Sequence, residues 1–291
     1  LMAVIAWTRV PWRPRKFVTL SAIKDLYGYG LPILISQSIR SLANQLPNVV
    51  IARTHSPQAL GYYDRGRLIP HNMTTAISSV FSRINFPALS RLQEDPALMR
   101  RQFFRISGIA LGITTLTMVA LGVYAEEAVT ILLGEKWRPG IWYAQAACVL
   151  AVIHVFYLLN ADLLRALGKT QTFFKTNMLC AGLQITLILS AIPLGIRWVI
   201  IADIVARFIA LFFLIGSVGR ISEIQPIEQL KKFGTAAIWG LFLMVILFGA
   251  RWLAPGIVTR LFFGFVVVLG FGWLWSWKYR TELRELIILR N

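Results

Sequence analysis

Apolar runs long enough to cross a bilayer alternate with short polar connectors along the chain, and the pattern predicts helices throughout. The runs fall at about 29–52, 59–89, 106–124, 141–164, 172–194, 198–218, 233–253 and 257–277, which makes about eight crossings. The first two are not greasy all round. In the first, Gln37, Ser41, Asn44 and Asn48 recur every three or four residues and share a helix face, with Arg40 beside them. In the second, Arg65, Asn72, Ser79 and Arg83 follow one stripe, with His71 and Thr75 close to it. Two adjacent helices thus each present a wet face. Pro47 in the first and Pro70 in the second remove a backbone donor and predict a kink or break.

An Arg at the centre of a membrane helix costs roughly 2.5 to 3.5 kcal/mol on the insertion scale, so such residues turn toward a bundle interior or a water-filled cavity. Arg40 and Arg83 are read in that way. Arg65 and Arg67 lie near a helix end, where snorkelling to head groups competes with a cavity role.

Between the third and fourth runs, 125–140 carries Glu126, Glu127 and Glu135 around a short apolar stretch, and predicts a small interfacial helix anchored by Trp137 and Trp142. The segment 90–105, with Arg91, Arg100, Arg101 and Arg105, is read as a basic inner loop. At the start, 1–7 is apolar but too short to span. It reads as the tail of a preceding span, followed by a basic connector, so that 1–26 is a tail and linker, 27–218 a six-helix lobe, and 219–291 an inner loop, two further helices and an inner terminus.

Composition strengthens this picture: 57% of residues are hydrophobic and 15% charged, with a mean hydropathy of +0.64. The class is all-α, a polytopic transmembrane helical bundle whose first partner is the lipid bilayer. The formal charge of +17 does not point to nucleic acid, because the basic residues cluster between apolar runs as topology signals do. Alternate connectors hold most of the Lys and Arg, and the other set holds only Arg53, Arg65, Arg67, Lys136, Arg138, Arg197, Arg251 and Arg260. That asymmetry places both ends of the chain in the cytoplasm.

Chemistry has few candidates. Cys148 and Cys180 lie in apolar runs, and His55, His71 and His154 are scattered, so no disulfide framework, metal site or cofactor is indicated. Asp203 and Arg207 stand four apart on one helix and can neutralise each other. Asp162 lies near Asn160 and Arg165 at an inner helix end, where solvent could satisfy it, and His154 reads as a core histidine among aromatics. Asp162 and Asp203 remain the candidates for ion coupling, and no convergent nucleophile, acid and base argues for an enzyme.

A more specific signal is the stretch LGYYDRGRLIPHNMTTAISSVFSRINFPALSRLQEDP at 60–96. It resembles the Wzx-type polysaccharide flippases through Leu60, Gly61, Tyr63, Arg65, Pro70 and the FPALSRLQED of 86–95. LLGEKW at 132–137 and RALGKTQ at 165–171 resemble that family's outer and inner loops. These flippases belong to the multidrug/oligosaccharidyl-lipid/polysaccharide (MOP) exporter superfamily, which has two six-helix lobes, often followed by two more helices. The chain resembles the linker, second lobe and last two helices, with the first lobe absent.

The resemblance implies export of an undecaprenyl-diphosphate-linked oligosaccharide from the cytoplasmic to the periplasmic leaflet of the bacterial inner membrane, in lipopolysaccharide or exopolysaccharide assembly. In that role Arg40, Arg65, Arg67 and Arg83 would face phosphates, and Gln37, Asn44, Gln45, Asn48 and Asn72 would replace water around sugar hydroxyls. Alternating access would come from rocking this lobe against the missing N-terminal lobe, with other polysaccharide-export proteins as further partners. With the interior negative, anion export is downhill by about 2.3 kcal/mol per charge per 100 mV. Three alternatives remain: a cation-coupled multidrug exporter of the same superfamily, which calls for an acidic pocket; a membrane glycosyltransferase or polymerase, which calls for a catalytic loop; and a non-transporting remnant.

Overall fold

A computed structural model describes residues 20–253 and 256–278. The expected severed span and most of the basic linker, together with the inner terminus beyond 278, lie outside the described residues. Nine α-helices are described: α1 (Leu20–Thr54), α2 (Pro57–Ser90), α3 (Pro96–Val123), the short α4 (Ala125–Leu132), α5 (Ile141–Ala166), α6 (Thr170–Ala191), α7 (Ile196–Gly219), α8 (Pro226–Leu253) and α9 (Ile257–Lys278). No strand occurs among the described residues, so the chain is all-α there. Among the described residues, five stretches are long and apolar enough to cross a membrane: Pro96–Val123, Glu135–Ala166, Thr170–Leu194, Ile196–Gly219 and Pro226–Leu253. The chain is a multi-pass membrane protein.

About eight spans were expected, and the difference has a physical origin. Helices α1 and α2 have the length of a span, at 35 and 34 residues, but their polar stripes keep them below the apolarity of the others, and in α9 the apolar stretch among the described residues is the shorter Gly264–Trp273. Pro70 does not break α2, which runs unbroken through Pro70 and Pro87. The Thr74 hydroxyl donates to the Pro70 carbonyl at 2.6 Å, so the turn after the proline keeps a local hydrogen bond.

Helix starts are set by caps rather than by the onset of hydrophobicity. Ser56 accepts from the Ala59 N–H at 3.2 Å with Pro57 in the first turn, and Asp95 accepts from the Leu98 N–H at 2.9 Å ahead of Pro96. The second cap corrects the expected inner loop. Helix α3 already begins at Pro96, and Arg105 is a buried helical residue at 8% exposure. Helix α8 likewise begins at a proline, Pro226, one and a half to two turns before its apolar run.

Helix α5 is the organising element, packed against α2, α3 and α7. Its Phe156, Leu159, Leu163 and Leu164 meet Phe103, Ile106 and Leu111 of α3 and Leu211 and Leu214 of α7 in the main core. The expected interfacial helix is α4, followed by a tight 3-10 turn at Glu135–Gly140. Trp137 of that turn packs inward, edge-on to Tyr62 of α2 at 6.2 Å between ring centroids, and also lies against the Ala125, Val129 and Ala144 cluster.

The turn sits close to α2. A Cβ on Gly66 would run into the Gly140 carbonyl oxygen, so the two backbones touch where only hydrogen fits. This contact fixes the N-terminal half of α2 against the start of α5, next to the polar site.

Candidate functional site

Helices α1, α2, α5 and α7 enclose a cavity of about 230 Å³. It exists because α5 turns Ala147 and Ala151 toward it, where larger side chains would fill the space. Helix α2 supplies Tyr63, Arg67, His71 and Thr74, spaced four, four and three apart and therefore on one face. Asn44 and Gln45 come from α1, Tyr143 and His154 from α5, and Asp203 and Arg207 from α7.

The floor is an ionic knot. Asp203, at 2% exposure, takes both of its oxygens to Arg207 Nε at 3.1 Å, as their four-residue spacing requires. Gln184 of α6 donates to the same carboxylate at 2.7 Å and to the Ala43 carbonyl of α1 at 3.4 Å, so one amide joins three helices. On the α2 side, Arg67 pairs with Asp64 at 3.0 Å, donates to the Tyr63 hydroxyl at 3.3 Å, and lies 4.6 Å from the centre of the Tyr63 ring. Tyr63 meets Tyr143 edge-on at 5.7 Å.

One turn from Asn44, Arg40 is half-buried with its guanidinium 4.1 Å above the Tyr157 ring. Around the hollow, three guanidinium groups thus face two carboxylates, leaving a positive excess. Asn44 Oδ1 is buried and has no hydrogen-bond partner within the protein. An acceptor left over at the wall of a polar cavity is a place for water or for a ligand hydroxyl.

The residues singled out from sequence divide into three groups. Asn44, Gln45, Arg67 and Asp203 line the cavity, and Arg40 stands a turn away. Asn48 donates to Gln45 at 2.9 Å and borders it. Gln37, Asn72 and Arg83 are exposed and off its lining, while Arg65 is exposed with its guanidinium 5.6 Å from the Trp137 ring centre. The helical stripe is therefore wider than the cavity.

Two expectations need correction. His154 is not packed in the core but lines the cavity, because Ala147 and Ala151 on the same helix leave the space beside it open. Asp162 is not solvated but 1% exposed, ion-paired to Arg165 and contacted by Ser82 at 3.2 Å and Asn85 at 3.4 Å from α2. It lies two helical turns from His154 along α5 and outside the cavity lining. The sequence reading also passed over Tyr63, Thr74, Tyr143 and Arg207 as lining residues. The spacing of Tyr63, Arg67, His71 and Thr74 was a usable signal for α2, whereas nothing in α5 announced Tyr143 or His154.

Comparison with known proteins agrees with this architecture. Residues 1–141 match the family model described as "Polysaccharide biosynthesis protein". The chain is 20% identical over 235 residues to the teichuronic acid biosynthesis protein TuaB of Bacillus subtilis, covering 79% of this chain and 49% of TuaB. It is 23% identical over 167 residues to the lipopolysaccharide biosynthesis protein WzxC of Escherichia coli K12, covering 57% of this chain and 34% of WzxC. The amylovoran biosynthesis protein AmsL of Erwinia amylovora is 19% identical over 62% of this chain and 46% of AmsL. The chain therefore spans half or less of the length of these curated relatives. Among solved structures, the lipid II flippase MurJ in an inward closed conformation superposes with a TM-score of 0.68 at 16% identity, over 92% of this chain and 57% of MurJ. The chain shares its fold with the matched part of MurJ.

Proposed function

We propose that this chain, a relative of the MOP-type polysaccharide flippases, forms one wall of the pathway by which a diphosphate-linked oligosaccharide on a polyprenyl carrier crosses the membrane. The observation that carries the reading is the cavity itself, a hollow with excess positive charge and amide groups, set among apolar helices. Guanidinium groups match phosphate oxygens, and low-dielectric walls strengthen that attraction. Asn44 and Gln45 offer the donors and acceptors that sugar hydroxyls need.

Size argues that this wall is only part of an enclosure. About 230 Å³ is below the roughly 300–1,000 Å³ of pockets that surround a small ligand. Gln37, Ser41, Asn72, Ser79 and Arg83 extend the polar surface of α1 and α2 beyond the cavity and are exposed. A polar helix face of this kind is costly against acyl chains and is satisfied by a second lobe across a shared aqueous vestibule. In this reading the partner is an N-terminal lobe of the same protein, the lipid tail stays in hydrocarbon, and the lobes rock to give alternating access. The excess of Lys and Arg on alternate connectors supports an inner-membrane orientation with both ends of this chain cytoplasmic. Asp203, tied to Arg207 at the cavity floor, is the better placed of the two carboxylates for coupling to an ion.

The test uses the complete two-lobed protein in a host whose surface glycan depends on it. Arg67→Ala and Arg40→Ala should each cut glycan export at least tenfold and leave synthesis of the lipid-linked precursor intact. Normal export in both variants would remove the cavity from the pathway. Arg83→Ala, outside the lining, should have the smaller effect.

A further inference from the structure

At the far end of α6 and α7 from their connecting turn lies a second hollow that the proposed pathway does not use. It is a groove of about 760 Å³ on the outer face of the bundle, between the start of α6 and the end of α7. Its walls are apolar: Leu179 from α6, and Ile209, Phe212 and Phe213 from α7. Leu179, Phe212 and Phe213 are 54%, 44% and 47% exposed, although both helices qualify as membrane spans. Polarity appears only toward one end. There Lys175 and Arg220 flank the groove, and Thr176 and Ser217 share a hydrogen bond at 3.0 Å.

The two cations have no carboxylate partner among the described residues, and both are exposed. They also stand at the end of the bundle where Arg165, Lys169 and Lys231 collect, the end assigned to the cytoplasm. Gly216 completes the shape. A Cβ built on it meets nothing within 4 Å, so the middle of the groove is open where any other residue would begin to fill it.

We infer that this groove is a binding site for one anionic phospholipid of the cytoplasmic leaflet, with its phosphate between Lys175 and Arg220 and an acyl chain along Leu179, Phe212 and Phe213. A cationic rim over apolar walls is the complement of such a lipid: charge at head-group depth and grease below it. Basic pockets between membrane helices on the cytoplasmic side recognise lipid head groups on these terms. A lone snorkelling lysine would need neither a second cation facing it nor a groove beneath. The inference rests on the bilayer orientation proposed above but is independent of transport, so failure of the export test leaves it standing.

The experiment titrates the purified chain in detergent with phosphatidylglycerol and with phosphatidylcholine of identical chains, and counts retained lipids by native mass spectrometry. The expected result is one phosphatidylglycerol held at concentrations where phosphatidylcholine is not. Lys175→Gln with Arg220→Gln should weaken that binding about fivefold for each cation removed. Gly216→Trp should block it with both cations in place, while Lys169→Gln with Lys231→Gln, on the same end but outside the groove, should leave it unchanged. Equal loss in the two lysine-containing double variants would mean diffuse attraction and overturn the site. So would full retention by Gly216→Trp, or tighter binding of undecaprenyl phosphate than of phosphatidylglycerol, which would give the groove to the carrier.

Discussion

At the scale of single residues, the account turns on groups that have no room or no alternative partner. Gly66 faces the Gly140 carbonyl with no space for a methyl, so Gly66→Ala must push α2 away from the start of α5, at a cost of about 1–3 kcal/mol. Gly182→Ala is the matched control, because nothing lies within 4 Å of its Cβ position and alanine is the better helix former. Thermal unfolding in detergent should show a clear loss for the first and none for the second.

Arg207 and Asp203 obey a different rule. Removing the arginine alone, as Arg207→Met, leaves a buried carboxylate uncompensated and should cost about 3–5 kcal/mol, whereas adding Asp203→Asn to it should recover most of that. The Asp203–Arg207 pairing was legible from spacing alone, because both residues stand on one helix. His154 was not, since a solitary polar residue has no periodicity, and the alanines on its own helix that open the space beside it say nothing until α2 is in place. Arg83 shows the converse: a stripe fixes the direction a side chain leaves its own helix, not what stands there to meet it.

At the scale of elements, α8 is pinned to α3 and α4 at both ends. On one side Arg100 pairs with Glu228, and on the other Arg251 donates to the Val123 carbonyl and to Glu126, both at 2.8 Å, and meets Glu127 at 3.2 Å. Such clamps at both ends resist sliding of α8 along α3. The outer clamp has a pH signature. The hydrogen bond from Arg138 is the main influence holding the Glu126 carboxyl below its ordinary value; burial pushes upward against it, and the hydrogen bond from Arg251 adds to the lowering. A group whose folded value is depressed contributes stability above its unfolded value and loses it as pH falls through the folded one.

The share of thermal stability that Glu126 supplies in detergent should therefore be constant from neutral pH to about pH 5 and fall below about pH 4. Glu126→Gln should remove part of that fall. An unchanged acid limb in this variant would show that the clamp bears no load. The helices were legible from their apolar runs, but their true starts were not. Asp95 with Pro96 sets the beginning of α3 well before the grease does, because capping satisfies backbone donors whatever the hydropathy of the turn that follows, and α8 likewise starts early, at Pro226.

At the scale of the whole molecule, the chain combines apolar helices that only a bilayer would accept with two polar faces that a bilayer would reject. Both properties were legible in the sequence, the first from hydropathy and the second from the Gln37 to Asn48 and Arg65 to Arg83 stripes. What the sequence did not carry was the depth of the hollow between them, which depends on where α5 and α7 pack.

The most direct measurement of the central claim is thiol accessibility in membranes. Cysteines placed singly at Asn44, His71 and His154 in the complete protein, with Cys148 and Cys180 replaced, are exposed to a membrane-impermeant thiol reagent alongside a Leu189→Cys control on the lipid face, where Leu189 is 48% exposed. A hydrated cationic cavity predicts fast labelling at the three cavity positions, slowed by excess polyprenyl-diphosphate oligosaccharide, and little at 189. Labelling at the three no faster than at the control, or fast labelling indifferent to that lipid, would contradict it.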